Sequence, residues 1–201
     1  MKFGLAFASS VGTDPASAAL EVAKVAEAVG FESVWGGEHV VMPSTIASAY
    51  PYTSDGKIPA TPETLIPDPL IWLAYVAAVA PTLRLGTCIL ILPQRNPLVL
   101  AKELATLDHL SGGRVELGIG VGWMKEEFDA LDAPWEHRGR RNDEYVAVLR
   151  HHLVRQPRRV PRRVRELRTA HLRAEPCPGA RHPDPGWRRH TGRDPSSSAT
   201  C

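Results

Sequence analysis

LRLGTCILILPQRNPLVLAKELATLDHLSGGRVELGIGVGW, residues 83–123, decides the fold class. Arg84–Leu92 is a nearly continuous apolar run, short for a helix and long enough for a strand buried on both faces. Asn96-Pro97 then supplies a capping side chain followed by proline at the first helical position, where its missing N–H costs nothing. Leu100, Leu104 and Leu107 recur at helical spacing, so this helix buries one stripe. Ser111-Gly112-Gly113 ends it, and Arg114–Ile119 reads as a second buried strand. Strand, helix and strand make a βαβ unit, which implies a parallel sheet. Both strands run out into unusual backbone: Thr87-Cys88-Ile89 with Pro93 in one, Gly118, Gly120 and Gly122 in the other. In parallel α/β folds that end of the sheet receives ligands.

The same alternation extends outward. Lys2–Phe7 is strand-like, and Asp14-Pro15 opens a helix with the stripe Ala18, Val22, Val25 and Val29, stopped at Gly30. Phe31–Trp35 is a second strand, with Gly36-Gly37-Glu38-His39 just past its end. From Val40 to Pro67 no period survives, and a long loop over the strand ends is expected. Asp68-Pro69 starts another helix, through Ala80. Beyond Trp123 a short helix over Met124–Leu131 precedes a longer one over Arg138–Arg150, with Tyr145, Val148 and Leu149 as its apolar face. Four βα units by residue 150 fit half of a (β/α)₈ barrel, which takes about 250 residues for eight units.

The second half should begin there, and the composition changes instead. Residues 1–150 hold 12 Lys+Arg against 18 Asp+Glu, net −6, whereas residues 151–201 hold 12 Arg, no Lys and four acids, net +8. With seven Pro and no Ile, Phe, Tyr or Met, this tail has too little apolar surface for four more buried strands, although a short helix over Arg162–Ala174 would fit. The fold class is thus α/β: a partial (β/α)₈ TIM barrel over 1–150, followed by a largely irregular Arg/Pro-rich tail over 151–201. Arginine without lysine, beside Pro, Ala, His and Gly, is the texture of a GC-rich coding sequence read out of frame. A genuine basic tail for nucleic acid is the alternative, but such tails mix Lys with Arg and interleave aromatics, and this one has only Trp187. Nucleic acid is therefore not expected as a partner.

No apolar run approaches the roughly 20 residues of a membrane helix, and no signal peptide is evident, so a cytoplasmic location with no membrane partner is expected. Cys88, Cys177 and Cys201 show no metal-ligand spacing, so no metal is expected, and Cys88 reads as a small buried residue. Gly118-x-Gly120-x-Gly122 departs from the dinucleotide fingerprint, whose third glycine comes one residue later and which follows the first strand. It fits better as backbone shaped for close approach by a planar ligand. Glu38-His39 is the best acid/base candidate, because histidine titrates near neutrality and the pair sits at a strand's C-terminal end. His109 reads as structural. Glu126, Glu127 and Asp129 read as a solvated helix face.

GFESVWGGEHVVMP (Gly30–Pro43), the run from Leu85 to Trp123 and RGRRNDEYVAVLR (Arg138–Arg150) together resemble the luciferase-like monooxygenase superfamily, particularly its coenzyme F420-dependent oxidoreductases. The resemblance covers residues 1–150. It implies a TIM barrel with a deazaflavin or flavin across the C-terminal strand ends, coenzyme F420 or alternatively FMN. It further implies a small-molecule substrate and, in full-length members, a homodimer. His39, with Glu38 beside it, corresponds to the family's histidine near the reactive ring. A non-prolyl cis peptide backing the ring maps onto Cys88–Ile89, next to Thr87, and Gly120, Val121 and Gly122 match backbone lining it. Trp123 stands where some sugar-phosphate-oxidising relatives carry a catalytic glutamate, which argues against that chemistry. Relatives hold the cofactor phosphate with segments from later strands, and nothing matching follows Arg150, so a non-catalytic fragment is the alternative for the chain as it stands. A one-base correction near codon 150 is expected to restore β/α alternation downstream; resequencing the coding DNA checks this.

Overall fold

The computed structural model describes residues 1–10 and 15–155. Its strands are β1 (Gly4–Leu5), β2 (Ser33–Gly36), β3 (Arg84–Thr87), β4 (Leu90–Ile91), β5 (Val115–Glu116) and β6 (Ile119–Gly120). The helices are α1 (Pro15–Ala28), α2 (Pro69–Ala77), α3 (Pro97–Leu110), α4 (Lys125–Ala130) and α5 (Arg138–Arg155). β1, β2, β3 and β5 form one sheet in that order, every pairing parallel, and β4 with β6 prolongs its last two strands. This is the expected partial barrel of four βα units. The helix expected over Arg162–Ala174, the rest of the tail and the Asp14 cap lie outside the described residues.

The repeated cap-then-proline device works as read. The Asp68 carboxylate accepts from the N–H groups of Leu70 and Ile71 at 2.9 and 3.0 Å, and the Asn96 amide oxygen from those of Leu98 and Val99 at 3.0 and 3.3 Å. At the opposite helix ends, orphan carbonyls are collected by a single side chain. Arg114 donates to the carbonyls of Ala77, Ala80, Leu83 and Ser111 at 2.6–3.1 Å, which ties the exits of α2 and α3 to the start of β5.

The core lies between sheet and helices. Val34, Leu85, Leu90, Leu73, Val76 and Leu100 are fully buried there, and Leu104 and Leu107 complete the predicted stripe of α3. Two stripes differ from expectation. α1 turns Ala19, Ala23 and Ala26 inward and leaves Val25 and Val29 exposed, because small residues let this helix approach the sheet closely. In α5 the deeply buried pair is Val146 and Leu149, with Tyr145 and Val148 only half-buried. Cys88 is half-buried rather than a core residue.

On the opposite face of the sheet, Ser33 and Trp35 point inward from β2, two residues apart. The Trp35 indole donates to Ser33 Oγ at 2.8 Å and lies across its neighbours in both directions. A methyl on Gly86, its register partner in β3, would come within 2.1 Å of the ring, and one on Gly4 in β1 within 2.7 Å of Nε1. The glycines flanking β2 are therefore the floor on which its tryptophan rests. Replacing Gly86→Ala is expected to force the indole off this floor and to cost about 1–3 kcal/mol, the range for overpacking a filled site; urea unfolding at neutral pH measures it.

Candidate active site

The C-terminal ends of β3 and β5 do not match in length. Leu85 and Gly86 pair with Val115 and Glu116, and Leu90 and Ile91 with Ile119 and Gly120, so three residues (87–89) face two (117–118). This is a bulge in a parallel pair, a device that re-aims side chains. The Thr87 hydroxyl fills the broken ladder: it donates to the Gly118 carbonyl at 2.7 Å and accepts from the Gly118 N–H at 3.0 Å. Gly118 is obligatory here, since a Cβ would lie 2.2 Å from the Thr87 carbonyl oxygen. The next peptide bond, Cys88–Ile89, is cis, as the family resemblance implied. Cys88 N–H donates to the Gly36 carbonyl at 2.7 Å, so the bulge stays tied to β2.

The bulge exposes Ile89, which lies over Gly120 at a spot where any Cβ would be 2.6 Å from its terminal carbon. Ile89 and Val121 are 38% and 40% exposed, unusual for aliphatic side chains at the ends of core strands. Phe7, with φ of 53°, adds an exposed ring beside Gly37. Ile89 and Val121 present an apolar platform at the sheet's C-terminal edge, a surface suited to the face of a flat heterocycle. Gly122, at φ of 79°, carries the chain away from it; its carbonyl accepts from Arg138 Nε at 3.1 Å, and Arg138 stacks on Trp135 at 3.6 Å.

His39 lies just beyond the end of β2, whose neighbour β3 runs into the bulge. Its ring meets Trp123 edge-on, centroids 6.0 Å apart, and Tyr50 packs against the same indole at 5.1 Å. His39 Nδ1 lies 3.0 Å from Glu127 Oε2, while Glu127 Oε1 accepts from Val40 N–H at 2.6 Å. Glu127 is fully buried, contrary to the solvated helix face expected of it; Asp129, which pairs with Lys125 in the same helix, is indeed exposed. Glu127 lay beyond sequence reading because its partner is 88 residues away. The available signal was position: α4 follows the glycine-rich strand end directly, so its first turn faces the site.

Glu38 is placed differently from its neighbour. Its side chain is 1% exposed, and its carboxylate accepts from Ile91 N–H and from Arg95, whose Nε lies at 2.8 Å. Arg95 also reaches Asp68 Oδ2 at 2.5 Å, so it joins the ends of β2 and β4 to the start of α2. Burial pushes the Glu38 carboxyl up despite Arg95 and the Ile91 amide. Desolvation disfavours the Arg95 cation, but Glu38 and Asp68 outweigh it and raise its pKa. Of the residues read as catalytic or cofactor-binding, His39, Ile89, Gly120, Val121 and Gly122 thus lie at the strand ends with half-buried Cys88, whereas the Glu38 and Thr87 side chains are engaged in an ion pair and hydrogen bonds within the fold.

The loop after His39 is held down by the residue next to Glu127. Glu126 Oε1 accepts from the N–H groups of Ala47 and Ser48 at 2.8 and 3.0 Å, and Lys125 N–H donates to Ser48 Oγ at 3.1 Å. Desolvation raises the Glu126 pKa, but its own N–H, the Ser48 hydroxyl and the two loop amides prevail and bring it from 4.5 to about 2. A pKa lowered on folding contributes stability in full above the unfolded value, lost as pH falls through the folded one. Protection of the Ala47 and Ser48 amides from hydrogen exchange, corrected for intrinsic rates, is therefore expected to fall between pH 4.5 and about 2. In Glu126→Gln it should already be weakened at neutral pH.

Comparison with known proteins agrees with this geometry. The family model described as luciferase-like monooxygenase matches residues 1–187, past residue 150 where the motif resemblance stops. Uncharacterized protein Rv0953c of Mycobacterium tuberculosis is 36% identical over 151 residues, 75% of this chain and 52% of that protein. The chain thus spans about half the length of the curated relatives it matches. Over 78 residues it is 41% identical to an FMNH(2)-dependent dimethylsulfone monooxygenase of Pseudomonas putida, covering 37% of this chain and 22% of that enzyme. Among solved structures, monooxygenase RslO1 from Streptomyces bottropensis superposes with a TM-score of 0.57 at 30% identity, over 75% of this chain and 42% of that one. An F420-dependent secondary alcohol dehydrogenase, in complex with an F420-acetone adduct, gives 0.54 at 25% identity with the same coverage. No helix among the described residues is long and apolar enough to cross a membrane. With a match over nearly its whole length and a bulged, glycine-lined strand end of the expected form, this chain belongs to the luciferase-like monooxygenase family.

Proposed function

We propose that the protein is an oxidoreductase that transfers a hydride between coenzyme F420 and a small organic substrate. The observation that carries this reading is the apolar platform of Ile89 and Val121 at the strand end, with His39 packed on Trp123, two residues beyond Val121. A deazaflavin or flavin ring is flat and apolar on its faces, and Ile89 and Val121 offer it exposed aliphatic contact. When bound, the ring would supply the hydride chemistry. The chain's part is positional. Ile89 and Val121 support the ring face, Gly120 lets Ile89 lie outward over its strand, and Trp123, backed by Tyr50, packs against His39. His39 holds or moves a proton at the substrate oxygen through Nε2.

FMN is the second reading, favoured by the likeness to the FMNH(2)-dependent monooxygenase over 78 residues. The two differ in their use of oxygen: in the FMN reading an organic substrate is oxygenated, whereas in the F420 reading oxygen plays no part.

Fluorescence titration of the full chain with F420 and with FMN is expected to show saturable binding of F420, weakened at least tenfold in Val121→Asp. Preferential FMN binding would favour the second reading, and binding of neither would refute both. In His39→Ala, turnover should fall by about 10²–10⁴, the usual contribution of a positioned acid or base, with ring binding changed far less.

A further inference from the structure

We propose that Glu127 is a positioning residue that holds His39 in a single tautomer, with its proton on Nδ1 and a free lone pair on Nε2. This deepens the reading of His39 given above and rests on it for its functional meaning, though not for its chemistry.

Glu127 is fully buried at the start of the short helix α4, and among the described residues its hydrogen bonds are to His39, Val40 and Val41, with no Lys or Arg. Oε1 accepts from Val40 N–H at 2.6 Å and, more weakly, from Val41 N–H at 3.4 Å. Those two amides can only donate, which matches a carboxylate oxygen as their acceptor. Oε2 is then an acceptor as well, and the group 3.0 Å away, His39 Nδ1, must bring the proton. In a neutral imidazole a proton on one nitrogen leaves a lone pair on the other. An isolated histidine side chain in water prefers the opposite arrangement, with the proton on Nε2, so Glu127 imposes a state the ring would not choose.

The ring has little freedom to escape. Its side chain is only 13% exposed, and the Trp123 indole stands against it at an interplanar angle of 85°. Glu127 also fixes the backbone on which the ring is mounted, since Val40 and Val41 directly follow His39. One carboxylate therefore sets three things together: where the histidine sits, which way it faces and which nitrogen is bare. While the ring is neutral, the group that meets Nε2 is a hydrogen-bond donor, a hydroxyl or an N–H. Once Nε2 has taken that proton, Nδ1–H still donates to the carboxylate, so the ring keeps its orientation.

The test needs neither cofactor nor substrate. Long-range ¹H–¹⁵N correlation spectra of the ¹⁵N-labelled full chain are recorded at a pH of about 8.5, above the ordinary imidazole range, and the His39 signals are assigned by their loss in His39→Gln. The expected result is a protonated Nδ1 and a bare Nε2. In Glu127→Gln the ratio of Nε2–H to Nδ1–H should rise about tenfold or more, as a hydrogen bond to a charged partner is lost. In Glu126→Gln, which loosens the same loop without touching His39, the wild-type tautomer should persist. A proton on Nε2 in the wild type, an unchanged ratio in Glu127→Gln, or the same shift in both variants would overturn the proposal. The wild-type spectrum decides by itself should Glu127→Gln fail to fold. If instead no flavin or deazaflavin binds while the tautomer is as expected, the functional reading fails and the positioning role stands.

Discussion

Three residues of one strand set against two of its neighbour is the constraint from which the working end of this molecule follows. A parallel ladder cannot absorb an extra residue without leaving backbone groups unpaired, and unpaired groups in a core are costly. Here the Thr87 hydroxyl stands in for the missing backbone partner, facing the N–H and carbonyl of Gly118. Two consequences follow from that substitution. The approach of Thr87 to its neighbour is so close that only glycine fits at 118. The surplus residue is expelled upward, and it is Ile89 that emerges at the sheet's edge, an aliphatic side chain displayed where a ligand can lie on it.

Two glutamates at this edge illustrate how environment assigns different work to the same side chain. Glu38 is buried against a guanidinium and an amide, and its ion pair with Arg95 joins segments far apart in sequence. Such pairs gain little over apolar packing, but removing one partner strands the other charge, at about 3–5 kcal/mol. Among the described residues, Glu127 meets no guanidinium; its hydrogen-bond partners are two amides and an imidazole. The first glutamate ties the scaffold together, whereas the second fixes the ring of His39. The adjacent Glu126 closes the arrangement by clamping the loop that brings Tyr50 onto Trp123.

The glycines of the GxGxG run show how far a motif can be read without coordinates. Their spacing marks a strand end with unusual backbone, and that is where they lie. What demands them is the protein's own atoms: the Thr87 carbonyl at Gly118, the Ile89 side chain at Gly120, and Phe128 with Ile91 at Gly122. Close approach within the fold is a reason for them that spacing alone does not reveal. The platform still results, since a strand with no side chains at those positions lets its neighbour's Ile89 lie outward over it.

Local rules determined much of this protein from sequence alone. Asp68-Pro69 and Asn96-Pro97 start helices because capping and a fixed φ act within three residues. Leu100, Leu104 and Leu107 face the core because the helical period places them on one side, and the alternation of such elements specifies a parallel partial barrel. His39 was legible for the same reason, as a titratable residue at the end of a buried strand. Only the tertiary structure decided that Glu38 belongs to Arg95, that Thr87 belongs to Gly118, and that Glu127, read as solvent-facing, belongs to His39. Each of those pairings spans between 31 and 88 residues. A carboxylate's character depends on what surrounds it in space, and no periodicity along the chain encodes which distant donor will arrive there.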